Sequence, residues 1–180
     1  NGTKVLTYDR LLYEFPAKNI YCSIAIANFN TRRLITEKCE QDGLKIISIK
    51  ADNCIVMEEV ILGEGAILSP FVTITSNVTI GKSFHANLYS YVGHDCIIGD
   101  YVTFAPGVKC NGHVKINDNV YVGTGAIIYQ GKCNKPITIG ENSKIAAGAV
   151  VTKNIPENVT VIGNPAQVLT KELLKKMRSI

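Results

Sequence analysis

From Val56 onward, apolar side chains recur at every sixth residue: Val56, Leu62, Leu68, Ile74, Ile80, Ala86, Val92, Ile98, Phe104, Cys110, Ile116, Val122 and Ile128. Four residues after these positions comes a second set of small or branched residues, running Ala66, Val72, Val78, Phe84, Ser90, Cys96, Val102, Val108, Val114, Val120 and Ala126. Gly or Asn often follows the first set, as at Gly63, Gly81, Asn87, Gly93, Gly99, Asn111, Asn117 and Gly123, and these residues accept tight-turn backbone angles. An amphipathic helix needs apolar positions 3.6 residues apart and a half-buried strand needs them 2 apart. A repeat of six with turn residues instead predicts short strands alternating with corners, stacked as the coils of a parallel β-helix. Three hexads, 18 residues, close one coil. The frame breaks once, because Ile128 to Ile139 is 11 residues, one hexad plus five more around Cys133 and Pro136, before it resumes at Ile145 and Val151. A solenoid interior cannot absorb an insertion, so these residues must leave as a surface loop. That loop is either a lid over a binding site or a plain solvated excursion.

Ahead of the repeat, residues 21–27 have the composition of a buried strand, and 32–41 that of a helix capped by Asn30 and Thr31 and ending near Gly43. Residues 44–49 form a second strand, which completes a β-α-β unit of parallel type. The residues before Tyr21, Phe15 and Pro16 among them, carry no pattern that assigns an element. After the repeat, residues 170–178 predict a helix capped by Thr170, with Glu172 in its first turn.

The apolar fraction, 46%, is that of an ordinary globular chain of 180 residues. The longest apolar runs, 22–27 and 145–151, fall far short of the roughly 20 residues that cross a bilayer, and nothing at the start resembles a secretory leader. Six cysteines without a CxxC pair predict reduced thiols and a cytoplasmic location. A net charge of +4, scattered apart from Lys175, Lys176 and Arg178, argues against nucleic acid and is compatible with a phosphorylated ligand. The chain begins at Asn1 without a methionine, so an N-terminal piece is expected to be missing.

Stacking turns spacing into geometry, since positions 18 apart lie one above another at about 4.8 Å. His94, Gly112, Gln130 and, past the insertion, Lys153 then form one outward column. An exposed imidazole with a free backbone N–H one coil above it suits acyl transfer, pairing a base with a donor to an oxyanion. Asp95 can hold the imidazole in one tautomer and raise its basicity. Lys153 falls about 14 Å away, three coils on, a distance an extended pantetheine arm spans with its phosphates near the lysine. The plain alternative is that His94 is an ordinary corner residue. His113 stacks over Asp95 and is expected to form a structural ion pair with it, competing for the carboxylate. His85 receives no role, and Lys82, Asp100 and Asp118 form a solvated charged face.

With the stretch 91–100 (YVGHDCIIGD) set on a coil, the chain resembles the sialic-acid O-acetyltransferase family of hexapeptide-repeat sugar acyltransferases. The most similar branch is the N-acetyltransferases of UDP- or dTDP-linked 4-amino-4,6-dideoxy sugars. Matching stretches are 104–112 (FAPGVKCNG), 122–126 (VGTGA), 145–151 (IAAGAVV) and 161–166 (VIGNPA), within a resemblance that covers roughly residues 20–168. It implies a mostly β fold, a left-handed parallel β-helix of triangular section preceded by a small, partial Rossmann-like α/β segment. On that basis residues 1–52 are a partial substrate-binding α/β domain, 53–168 the acetyltransferase β-helix, and 169–180 a helical tail. The resemblance also implies a homotrimer, with acetyl-CoA in grooves between neighbouring β-helices and no metal. His94 becomes the general base and Asp95 its helper, the Gly112 amide binds the thioester oxygen, and Thr124 and Ala147 offer backbone groups to the pantetheine. The acceptor attacks the thioester directly, without an acyl-enzyme.

Two departures stand out: the Gly-rich turn that opens such nucleotide-binding segments is absent, and Thr103 occupies a place where some members carry a second His. The implied activity is acetyl-CoA-dependent N-acetylation of the 4-amino group of a nucleotide-linked amino sugar, for O-antigen or another surface glycan. A sialic-acid type O-acetyltransferase would use the same base. A non-catalytic β-helix assembly module would carry regular Thr ladders, which are missing. A zinc-dependent carbonic anhydrase needs three converging histidines, and His85, His94 and His113 do not fall in one column.

Overall fold

The structure, a computed structural model, describes residues 2–178. Residue 1 and residues 179 and 180, the outer ends of the expected 1–52 and 169–180 segments, lie outside the described residues. The repeat folds as anticipated into a parallel β-helix with three faces. The first face stacks Ile49–Lys50, Ile67–Leu68, His85–Ala86, Thr103–Phe104, Tyr121–Val122, Lys144–Ile145 and Thr160–Ile162, and Gln167–Val168 closes it antiparallel. The second face stacks Ile55–Val56, Thr73–Ile74, Tyr91–Val92, Lys109–Cys110, Ile127–Ile128 and Val150–Val151. Val60–Leu62, Val78–Ile80, Ile97–Ile98, Val114–Ile116 and Ile137–Ile139 make the third. Register follows the 18-residue coil, since Tyr91 pairs with Thr73 below and Lys109 above. The first rung, Ile49–Lys50, pairs with Ile67–Leu68 and so lies within the segment 1–52.

Both periodic sets point inward. Ile74, Phe84, Val92, Val102, Phe104, Val108, Cys110, Val122, Ala126 and Ile128 are all at 0% exposure. Each such Ile, Val or Phe contributes roughly 1.5–3 kcal/mol by leaving water, and the strands are too short to persist without that shared interior. Ser90, the polar member of the second set, is buried with its hydroxyl donating to the Ala105 carbonyl at 2.9 Å.

The corners differ from expectation in one respect. The left-handed backbone falls three residues after the inward position, at Glu59, Phe71, Asn77, Ser83, Tyr89, Asp95, Tyr101, His113 and Asn119, with φ between 54° and 64°. The glycines directly after the inward position serve another end, close approach between coils. A Cβ on Gly93 would lie 2.7 Å from the Asn111 carbonyl carbon, and one on Gly123 would lie 2.6 Å from the Ala147 nitrogen.

The five extra residues leave as a small hairpin in which Lys132 and Lys135 exchange backbone hydrogen bonds of 3.0 and 2.9 Å. The ladder resumes beyond it with the columns intact, Val114 pairing with Ile137 and Ile128 with Val151.

Ahead of the β-helix, β1 (Tyr21–Cys22) and β2 (Lys45–Ile46) pair in parallel around a helix, Phe29–Gln41. The cap is Asn28, whose side chain accepts from the Thr31 N–H at 3.0 Å, and Asn30 and Thr31 lie inside the helix. A short helix over Tyr8–Glu14, in the stretch without a sequence assignment, is capped by Thr7 and hydrogen-bonds to the longer helix's end through Tyr8 and Asp42. Residues Lys171–Arg178 form the expected terminal helix, and the Thr170 hydroxyl accepts from the Leu173 N–H at 3.1 Å.

Arg32 joins the two parts. Fully buried, it donates from one nitrogen to the Ile26 carbonyl at 2.7 Å and from the other to the Tyr101 carbonyl at 2.6 Å and the Thr103 hydroxyl at 3.0 Å. The first of these nitrogens also faces His85 Nδ1 at 3.3 Å. His85, assigned no role from sequence, is thus part of the joint, and burial beside the Arg32 charge pushes its pKa down to about 4. Among the described residues no helix is long and apolar enough to cross a membrane.

Candidate active site

The edge between the second and third faces is built from residues two past the inward positions Val92, Cys110, Ile128 and Val151. It carries His94, Gly112, Gln130 and Lys153 in one column, as the spacing predicted. His94 Nδ1 lies 2.7 Å from Asp95 Oδ2. That contact is a hydrogen bond when Nδ1 carries the proton, which leaves Nε2 as the lone-pair nitrogen. Hydrogen bonds from His94 and then Asn77 hold the Asp95 carboxyl below the usual carboxylate range, so it is charged at neutral pH.

The imidazole lies against Gly112. A Cβ added there would stand 2.6 Å from both Cε1 and Nε2 of His94. Only glycine therefore leaves the ring its place over the backbone. Among the described residues the N–H groups of His94, Gly112, Gln130 and Lys153 have no acceptor. A cavity of about 450 Å³ opens here between Thr75, Ser76, Tyr91, His94, Gly112 and Gln130. A second, of about 510 Å³, continues it past Gln130 to Lys153, bordered by Lys132 and Lys135 of the hairpin. The inserted loop thus stands beside the column.

Thr124 and Ala147 stack upon each other but on a different edge, between the first and second faces. Their N–H groups also have no acceptor among the described residues. The second face separates them from His94, so the candidate cofactor contacts of one chain are divided between two edges. Close to Thr124, a cavity of about 310 Å³ lies between the first face and the loop before the long helix, lined by Ala25, Ala27, His85, Asn87 and Thr103.

Two further features escaped the sequence, the Asn77 contact beneath Asp95 and the backbone contacts of Asp100 and Asp118. Asn77, one coil below Asp95, donates to its other oxygen, Oδ1, and the 18-residue spacing could have revealed it. His113 places Nε2 3.7 Å from Asp95 Oδ2 and its ring edge-on to His94 with centroids 5.1 Å apart. This is the ion-pair contact expected from the spacing, at a separation beyond hydrogen-bond length. The three histidines lie in different columns, as expected, with His85 held at Arg32, yet donor atoms of His94, Asp95 and His113 all lie within 4.8 Å of one another. Asp100 and Asp118, expected as a solvated face, accept backbone N–H groups of Lys82 and Asp100, each at 2.8 Å.

No family profile matches the sequence. The chain is 50% identical over 171 residues to a GDP-perosamine N-acetyltransferase of Escherichia coli O157:H7, covering 95% of this chain and 77% of that one. Among solved structures it is similar to WeeI from Acinetobacter baumannii AYE, with a TM-score of 0.91 and 50% identity, over 94% of this chain and 79% of that one. PerB from Caulobacter crescentus, solved in complex with CoA and GDP-perosamine, gives a TM-score of 0.79 at 26% identity, over 84% of this chain and 70% of that one. The acetyltransferase domain of PglB from Neisseria gonorrhoeae FA1090 gives 0.84 at 28%, over 94% and 80%. A half-identical relative aligned along nearly all of this chain, on the same coiled ladder, decides the matter: the chain belongs to the hexapeptide-repeat family of sugar acetyltransferases.

Proposed function

We propose that the chain transfers an acetyl group from acetyl-CoA to the amine of a nucleotide-linked amino sugar, GDP-perosamine or one close to it, in the making of an O-antigen or similar surface glycan. The observation that carries this reading is the pairing of His94 Nε2, left free because Asp95 engages Nδ1, with the unengaged N–H of Gly112 in the next coil. GDP replaces the UDP or dTDP expected from the resemblance because the half-identical relative is named for GDP-perosamine.

The neutral amine attacks the thioester carbonyl carbon and forms the C–N bond. His94 Nε2 removes a proton from that nitrogen, while the Gly112 N–H donates to the oxygen on which charge develops. The C–S bond then breaks, and the imidazolium returns its proton to the departing thiolate, leaving an amide and free CoA. Asp95 stabilises the imidazolium without taking its proton. No acyl-enzyme and no metal are needed.

One acetyl-CoA can touch Gly112, Lys153, Thr124 and Ala147 only if two chains stand side by side, the His94 edge of one against the Thr124 edge of the next. Three such contacts close a trimer. The cavity around Asn87 and Thr103 would then open beside the neighbour's His94, where it suits the acceptor sugar. Six free thiols accord with a cytoplasmic enzyme.

The test is incubation of the chain with acetyl-CoA and GDP-, UDP- or dTDP-linked amino sugars, followed by mass spectrometry for one added acetyl. The GDP amino sugar is expected to react fastest, and His94→Ala to slow it about 10²-fold with assembly unchanged. Near-normal turnover by that variant would defeat the assignment of the base.

A further inference from the structure

Asp95 is gripped from three sides. His94 Nδ1 holds Oδ2 from the same coil, and Asn77 Nδ2 donates to Oδ1 from the coil below. His113 Nε2 waits 3.7 Å from Oδ2 in the coil above, beyond hydrogen-bond length but within reach of a small rotation of the carboxylate. The Asp95 side chain is itself 36% exposed, so packing alone does not fix its plane. We infer that Asn77 is a positioning residue of the acetyl transfer: its amide fixes the Asp95 carboxylate so that Oδ2 serves His94 rather than His113 or solvent. The inference rests on the reading of His94 as the base.

The chemistry of the amide suits the task. A carboxamide N–H gives a charged oxygen a directed donor without adding charge, and so orients the acid without neutralising it. Backbone geometry supplies the rest. Asn77, Asp95 and His113 occupy the left-handed corner position of successive coils, at φ 58°, 57° and 56°. Their side chains therefore leave the chain in the same direction, one above another, and meet at the carboxylate. Without the lower grip, Asp95 can turn toward His113, and His94 then loses both its fixed tautomer and the carboxylate that faces its imidazolium form.

Two substitutions preserve the corner while removing the grip. Asn77→Gly keeps a residue at ease with positive φ, and Asn77→Asp keeps the shape but presents an acceptor where a donor is needed. Each is to be measured beside His94→Ala, in the assembled enzyme, with acetyl-CoA and the acetylated sugar's precursor. Both Asn77 variants are expected to lower kcat about tenfold, the loss of one hydrogen bond to a charged group, with KM and Tm unchanged. In an Asp95→Asn background, Asn77→Gly should cost nothing further. Full activity in Asn77→Asp, or an undiminished Asn77→Gly effect without Asp95, would overturn the inference while His94→Ala stayed about 10²-fold slow. Near-normal activity in His94→Ala would instead remove the reading beneath it.

Discussion

The two edges that bound the third face share one backbone plan and put it to opposite use. At both, the N–H of the residue two past each inward position turns outward. On the edge between the third and first faces, Asp100 and Asp118 reach down from the coil above and accept the N–H groups of Lys82 and Asp100. On the edge between the second and third faces, the equivalent positions hold His94, Gly112 and Gln130, and the N–H groups stay unaccepted among the described residues. The first edge is closed upon itself and contributes to stability. The second is open, and its donors are left without an acceptor among the described residues. A repeat fold offers the same peptide groups at every corner, so the side chain one coil above decides whether they hold the protein together or stay available.

Adding one methyl group to each edge should separate these roles. Gly112→Ala puts a Cβ against the tip of a movable imidazole, and an activity loss of roughly 10²-fold with little change in Tm is expected. An active Gly112→Ala would mean the open edge is not the reaction centre. Gly99→Ala pushes a Cβ to 2.8 Å from the Asp118 nitrogen, where the backbone cannot yield. It should cost about 2 kcal/mol of stability by thermal unfolding, with activity per folded molecule retained. Asp118→Ala leaves the Asp100 N–H without its partner and should cost about 1 kcal/mol; no change would show that water replaces the carboxylate.

The smallest effect concerns pH. Burial, and after it the Arg32 charge, lowers His85 from 6.5 to about 4, so the native state requires its neutral form. The associated stability is complete above pH 6.5 and is lost as pH falls toward 4. His85→Asn should flatten that decline in Tm, whereas an unchanged slope would acquit the joint.

Much of this is legible in the spacing. A period of six survives in any coil because each inward side chain meets the same neighbours, which is why Ile74, Val92 and Cys110 stand at equal intervals along the chain and in one buried stack. The column of His94, Gly112 and Lys153 follows from the same arithmetic. Long-range contact between unlike elements leaves no such trace. Arg32 meets Tyr101 and Thr103, 69 and 71 residues away, and its one local sign is a place on the helix stripe shared with Thr36 and Cys39. The cap falls at Asn28 rather than at Asn30 or Thr31, and the residue types alone do not decide, because all three can accept from a helix start. The glycines signal turns along the chain but serve close packing in the coil, since the distance between coils, unlike turn preference, has no signature in one stretch of sequence.

The hairpin near Cys133 carries a further consequence. Because the ladder closes beneath it without a shift in the vertical alignment, its length is independent of everything stacked inside. Exchange of those few residues would therefore reshape the rim beside Lys153 while the scaffold underneath stays as it was.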